Sequence, residues 1–139
     1  MRINIYKKKH KKKKIGLIKH YSGNIQFGLY GIKAIESGIL LTQEIEAIRR
    51  VISRITKRTG KLLIRIFFCQ PITKKPLKSR MGKGVGVIKF WIAFVKKGMV
   101  LLEISYISKN LASLVFKTIN LRFSLKVNLV VREIYQLND

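Results

Sequence analysis

The chain has 139 residues, of which 47% are apolar, enough for one core of ordinary size. Thirty Lys and Arg stand against six Asp and Glu, a formal net charge of +24. A compact molecule so charged repels itself and collects polyanions, which argues against an ordinary enzyme of small neutral metabolites and makes nucleic acid the first expected partner, an anionic membrane surface the second.

Residues 1–20 hold nine basic residues and no acid. The run Lys7, Lys8, Lys9, His10, Lys11, Lys12, Lys13, Lys14 cannot pack against itself, so it reads as an arm that orders on a partner rather than a solubilising tail or a targeting peptide, which would be richer in Arg and Ser. From Ile25 to Ile35 the alternation of Ile25, Phe27 and Leu29 with Gln26, Gly28 and Tyr30 predicts a strand, and Ile39 to Leu41 a short return. Thr42 is placed to cap a helix over 42–59, with Glu44 and Glu46 in its first turn. Ile45, Ile48, Ile52 and Ile55 recur on one stripe. Arg50, Arg54, Lys57 and Arg58 fall on the opposite side, and Gly60 is placed to end the helix as its C′ residue. Residues 61–68 alternate as a strand, with Leu62, Ile64, Ile66 and Phe68 on one face and Lys61 and Arg65 on the other. Residues 70–87 break periodicity and read as a loop. Residues 89–96 and 99–104 are apolar strands that Gly98 joins into an expected hairpin. Ser108 is placed to cap a second helix with Leu111, Leu114, Val115 and Thr118 on one stripe, and 125–131 close the chain with a period of two. This order predicts an α+β fold, a mostly antiparallel sheet packed with two helices. The basic arm occupies 1–20, and a single domain carrying the loop 70–87 occupies 21–139.

Catalytic chemistry finds few residues to work with. From Ala47 to Leu102 there is no acid, yet fifteen Lys or Arg. No spaced carboxylate pair appears, and both His, His10 and His20, lie in the basic arm. One cysteine, Cys69, excludes an intramolecular disulfide and a Cys-based zinc site. No cofactor, metal or catalytic residue is expected. The strongest local feature is Pro71 to Gly86, where Gly82, Gly84 and Gly86 alternate among Lys74, Lys75, Lys78, Arg80 and Lys83. The spacing fits neither a Walker loop nor a dinucleotide fingerprint. Together with the arm and the helix face it reads as a third nucleic-acid contact. No recognition helix, finger, zipper or aromatic RNP strand is visible, so folded RNA is favoured over duplex DNA.

At this loop the sequence resembles a known family. Lys75-Pro76-Leu77-Lys78-Ser79-Arg80-Met81-Gly82-Lys83-Gly84 is similar to the hallmark of large-subunit ribosomal protein sixteen, the uL-sixteen family related to the archaeal and eukaryotic L-ten-e proteins. Phe27-Gly28, Gly31 to Ala34, Gln43, Ile45 to Ala47, Arg49-Arg50, Gly60-Lys61, Ile64 to Phe67, Pro71 to Thr73, Trp91, Ala93, Gly98 and Glu103 continue the resemblance in order, from about Lys7 to Val131. It implies an α+β sandwich with a hammerhead-like β element. It also implies a structural constituent of the large subunit that binds rRNA near the peptidyl transferase centre and the aminoacyl-tRNA site, supports tRNA placement and joins late in subunit assembly. Carried onto this chain, rRNA contacts fall on the arm lysines 7–9 and 11–14 and on Arg49, Arg50 and Arg54, with Lys57 and Arg58 extending that face. Lys75, Lys78, Arg80, Met81, Gly82, Lys83, Gly84 and Gly86 become the tRNA-proximal loop.

Three departures stand out. Val85 sits where the family usually has Lys. Phe68-Cys69-Gln70 replaces a more polar turn. Ser105-Tyr106-Ile107-Ser108-Lys109 lacks the usual Gly-Val-Pro-Glu. The implied partners are large-subunit rRNA, tRNA and neighbouring ribosomal proteins, with no membrane and no homo-oligomer. Residue usage, 21 Lys to 9 Arg and 21 Ile to 4 Ala, follows AT-rich coding. With the divergence, and with Met1 near the family's start, it suggests a mitochondrial ribosome and an organelle-encoded protein, the alternatives being a plastid or an AT-rich bacterial cytoplasm. A basic membrane-surface protein and an RNA-processing factor are the competing functions.

Overall fold

The computed structural model describes residues 23–68, 70–82 and 84–132. Its elements run β1 (Tyr30–Ala34), β2 (Gly38–Leu41), α1 (Thr42–Ile55), β3 (Lys61–Ile64), β4 (Gln70–Lys74), β5 (Val87–Val95), β6 (Val100–Ser105), α2 (Lys109–Asn120) and β7 (Val127–Val131). They form two antiparallel sheets, of order β3-β6-β1-β7 and β2-β5-β4. This is the expected α+β fold with two helices, divided into two sheets.

The core lies where the helices meet the sheets. Ile45, Ile48 and Ile52 of α1 join Val115 and Ile119 of α2 in one buried cluster with Ile32, Leu40, Val95, Leu102, Ile104 and Val127. The Ile stripe of the first helix therefore faces inward as its spacing requires. On α2 the buried positions are Ala112, Val115 and Ile119, and Leu114, expected on the inner stripe, is exposed. Ser108 caps this helix as predicted, its Oγ accepting from the Leu111 amide at 3.3 Å.

Several boundaries differ from the sequence reading. Thr42 is not the cap of α1. The chain passes straight from β2 into the helix through Leu41, without a side-chain cap, and the Thr42 hydroxyl donates instead to the Trp91 carbonyl at 3.4 Å. The helix ends at Ile55, and the left-handed turn that follows uses Lys57 (φ 49°) and Arg58 (φ 65°) rather than Gly60. Gly60 is small for another reason: a Cβ there would lie 2.7 Å from the Ile107 side chain.

The hairpin expected across Gly98 does not form. β5 pairs with β2 and β4, whereas β6 pairs with β1 and β3. The turn bonds to the end of β1, with Gly98 N donating to Ala34 O at 2.8 Å and Ala34 N to Met99 O at 2.9 Å. The chain thereby steps from one sheet to the other.

The segment read as a loop begins with a strand. β4 is an edge strand, which is where a proline such as Pro71 is tolerated. Residues 75–82 and 84–86 thus belong to the tip of a β4–β5 hairpin, with Lys74 opposite Val87.

The predicted first strand starts five residues late, because its leading residues cross the sheet instead of extending it. Ile25 packs where Gly31 has no side chain; a Cβ on Gly31 would lie 2.7 Å from Ile25 Cγ1. The amides of 26–28 turn to a buried carboxylate, that of Glu103.

Candidate RNA interface

Glu103 lies in the middle of β6 and is 1% exposed. Its carboxylate accepts from the amides of Gln26 (3.2 Å), Phe27 (2.7 Å) and Gly28 (2.8 Å) and from Arg65 Nη1 (2.6 Å). Burial pushes its pKa up, but the donors from Gly28, Phe27, Gln26 and Arg65 favour the charged form and hold it below the ordinary value. Arg65 Nη1 also donates to Asn24 O at 2.7 Å, and Nη2 to Gln26 Oε1 at 3.2 Å. This carboxylate–guanidinium clamp holds residues 24–28 against the sheet and so fixes the point from which the chain leaves toward the basic arm. The alternation of 61–68 puts Arg65 with Lys61 on the face opposite the apolar residues and assigns Glu103 no role. A lone acid inside an apolar strand was the available signal, since a buried charge requires partners.

The arm lysines 7–9 and 11–14 lie outside the described residues, as do Lys83 and Cys69. On α1, Arg49, Arg50 and Arg54 are exposed. Glu46 joins the first two into a fork: it accepts from Arg49 Nε and Nη2, both at 2.8 Å, and from Arg50 Nε at 3.0 Å. Hydrogen bonds from Arg49 and then Arg50 lower the Glu46 pKa from 4.5 to about 2, and Glu46 raises that of Arg49. Lys57 and Arg58 do not continue the helix face. They are exposed in the left-handed turn beyond it.

The hairpin tip carries the other candidates. Lys75, Lys78, Arg80, Met81, Gly82 and Gly84 are all exposed. Gly82 (φ 96°) and Gly84 (φ 75°) take the left-handed conformation that glycine permits, with open space where a Cβ would be. Gly86 serves differently. A Cβ there would lie 2.5 Å from Lys74 O, so this glycine closes the hairpin base rather than opening the tip to a ligand. The tip thus lies outside the core cluster, and the helical fork belongs to a separate element. Among the described residues no group of His, Cys, Asp or Glu is placed to hold a metal ion, and no helix is long and apolar enough to cross a membrane.

A small α+β fold that presents guanidinium groups on a helix and a glycine-rich cationic hairpin tip, without a catalytic constellation among its described residues, is a basic binding protein. Its family follows from comparison. The family model described as Ribosomal protein L16p/L10e matches residues 2–130. The chain is 46% identical over 127 residues to the "Large ribosomal subunit protein uL16" of Buchnera aphidicola subsp. Baizongia pistaciae, covering 91% of this chain and 92% of that protein. It is 43% identical over 127 residues to the protein of that name from Blochmanniella pennsylvanica (91% and 93% covered). It is 42% identical over 130 residues to that from Xylella fastidiosa strain 9a5c (93% of each). The chain belongs to the L16p/L10e family of ribosomal proteins. It is a structural constituent of the ribosome and not an enzyme.

Proposed function

We propose that the chain acts in the large ribosomal subunit, binding large-subunit rRNA near the peptidyl transferase centre and directing its hairpin tip toward the aminoacyl-tRNA site. The observation that carries this reading is the tip itself. Lys75, Lys78 and Arg80 stand exposed on a hairpin that Gly86 closes at its base and Gly82 and Gly84 turn at its end. Residues 1–20 act as an rRNA-binding arm, and residues 21–139 as one domain. Arg49 and Arg50, joined by Glu46, are exposed guanidinium groups of the kind that pairs with phosphate oxygens, with Arg54, Lys57 and Arg58 adding charge. Neighbouring proteins of the subunit complete the surroundings, and no membrane or second copy is required.

The test is UV crosslinking of the tagged protein in lysate, with the bound RNA sequenced and the crosslinked peptides mapped. Large-subunit rRNA joined to residues 71–87 is the expected result. Crosslinks to unrelated RNAs, or none within that hairpin, would overturn it.

For the compartment, the Ile- and Lys-rich usage favours an AT-rich genome, which a mitochondrion with its own genes or a bacterium would supply. The relatives quoted are bacterial, which favours the bacterial cytoplasm over the mitochondrial matrix or a plastid. Locating the gene on a bacterial chromosome or an organellar genome decides among them.

A further inference from the structure

The end of β6 gathers two aromatic rings that the fold does not use. Phe27 is 69% exposed and Tyr106 is 82% exposed. Phe27 is held by its backbone: its amide donates to Glu103 at 2.7 Å, and its carbonyl accepts from the Ser105 hydroxyl at 3.5 Å. Gly28 lies so close to the strand that a Cβ would sit 3.0 Å from the backbone of Ile104. Ser105, which touches the Phe27 backbone, immediately precedes Tyr106, so the two aromatic residues are brought to one end of the four-stranded sheet.

The backbone of Tyr106 is itself unusual. Its φ is 59°, a left-handed conformation that bulky residues rarely adopt, and such strain concentrates at functional positions. Cations stand on the two outer strands at this end of the sheet. Lys61 is exposed and is the register partner of Ser105. Arg132 donates from Nη1 to Gln26 O at 3.1 Å and from its amide to Leu29 O at 2.8 Å. The nearest acid on β6, Glu103, is buried and paired with Arg65, so it does not oppose an anion outside.

We propose that Phe27 and Tyr106 form a stacking platform for unpaired bases of ribosomal RNA, with Lys61 and Arg132 engaging the adjoining phosphates. Flat rings beside cations suit a nucleotide, which offers a π-face and a negative charge together. The platform rests on the rRNA-binding reading above and adds a contact site on a surface distinct from the hairpin tip and the α1 fork.

The experiment measures affinity of the full chain for the large-subunit rRNA of its own genome as a function of salt. Tyr106→Gly suits the left-handed backbone, and the Phe27→Ala ring is outside the core, so both variants fold. Each is expected to weaken binding roughly 5- to 150-fold at fixed salt, the range one stacked base supplies, without changing the slope against salt. Tyr106→Phe keeps wild-type affinity. Lys61→Ala lowers the slope by about one. UV crosslinks from Phe27 or Tyr106 to a nucleotide in assembled subunits also support the platform. Wild-type affinity in both ring-deleted variants, beside a steep salt dependence of the parent, overturns the platform and leaves the rRNA reading standing. Crosslinks from these rings to protein alone also overturn it. Failure of the parent itself to prefer this rRNA removes the broader reading and the platform with it.

Discussion

The clamp at Glu103 gives the sharpest test of the fold. Glu103→Gln keeps the shape but removes the charge, and one of its two atoms becomes a donor facing other donors. The wild-type carboxylate accepts three main-chain amides and one guanidinium, all between 2.6 and 3.2 Å. Hydrogen bonds to a charged group contribute about 1.5–3 kcal/mol each, and removing one partner of a buried ion pair costs about 3–5 kcal/mol. Because these terms overlap, the expected loss is about 3–5 kcal/mol, a large part of the roughly 5–15 kcal/mol that stabilises a domain. Urea denaturation at moderate salt reads it. With a slope near 2 kcal/mol per molar, the midpoint falls by about 2 M.

The pH dependence has a definite sign. The folded pKa of Glu103 is below its ordinary value, so its stabilisation is complete above the unfolded pKa of about 4.3 and is lost as pH falls through the folded value. The wild type should lose stability more steeply than Glu103→Gln below about pH 4.3. A variant within about 1 kcal/mol of wild type, with the same acid slope, would refute the clamp.

Three other outcomes are expected. Ile52 is 1% exposed within the α1–α2 cluster, so Ile52→Ala should destabilise by about 2–5 kcal/mol in the same denaturation assay. Arg80 is exposed on the hairpin tip, so Arg80→Ala should leave folding stability within about 0.5 kcal/mol yet impair subunit function. Unimpaired growth with that variant as sole copy would count against the tip. Finally, the free chain should melt higher in 1 M than in 0.05 M salt, because its charge of +24 is self-repelling and screened at short range, while its RNA affinity falls over the same interval; calorimetry and filter binding read the two trends.

What the sequence made legible was governed by local periodicity. The Ile spacing of α1 and the Ser108 cap of α2 are local signals, and both appear in the structure. Strand partners are not local. An apolar strand, a glycine turn and a second apolar strand read alike whether the strands pair with each other or part, and here the turn bonds to Ala34 and the strands enter different sheets. β4 was hidden because Pro71 and the uneven polarity after it suppress the strand pattern, which an edge position accommodates. The alternation of Ile25, Phe27 and Leu29 was real, but Glu103, 75 residues or more away in sequence, diverts their backbone. Of the candidate site, composition and the loop motif named the cations. They did not reveal that Glu46 joins two of them or that Arg65 is turned to a buried acid.

The distribution of acids explains how a fold this basic holds together and why it needs an outside partner. Each carboxylate in the described residues fastens the chain to itself. Glu36 accepts from the Lys126 amide at 2.9 Å, Glu44 from the Ser124 hydroxyl at 3.0 Å, Glu46 from two arginines, and Glu103 from three amides and Arg65. These acids are committed to fastening the chain, and the ion pairs they form reach Arg49, Arg50 and Arg65. The exposed cations of the hairpin tip, the turn after α1 and the outer strands of the four-stranded sheet are thereby left facing outward. Polyanion binding is consequently built into the fold as its missing counter-charge. The same physical term that weakens the free chain at low salt strengthens its hold on RNA, so isolation and assembly respond to salt in opposite directions.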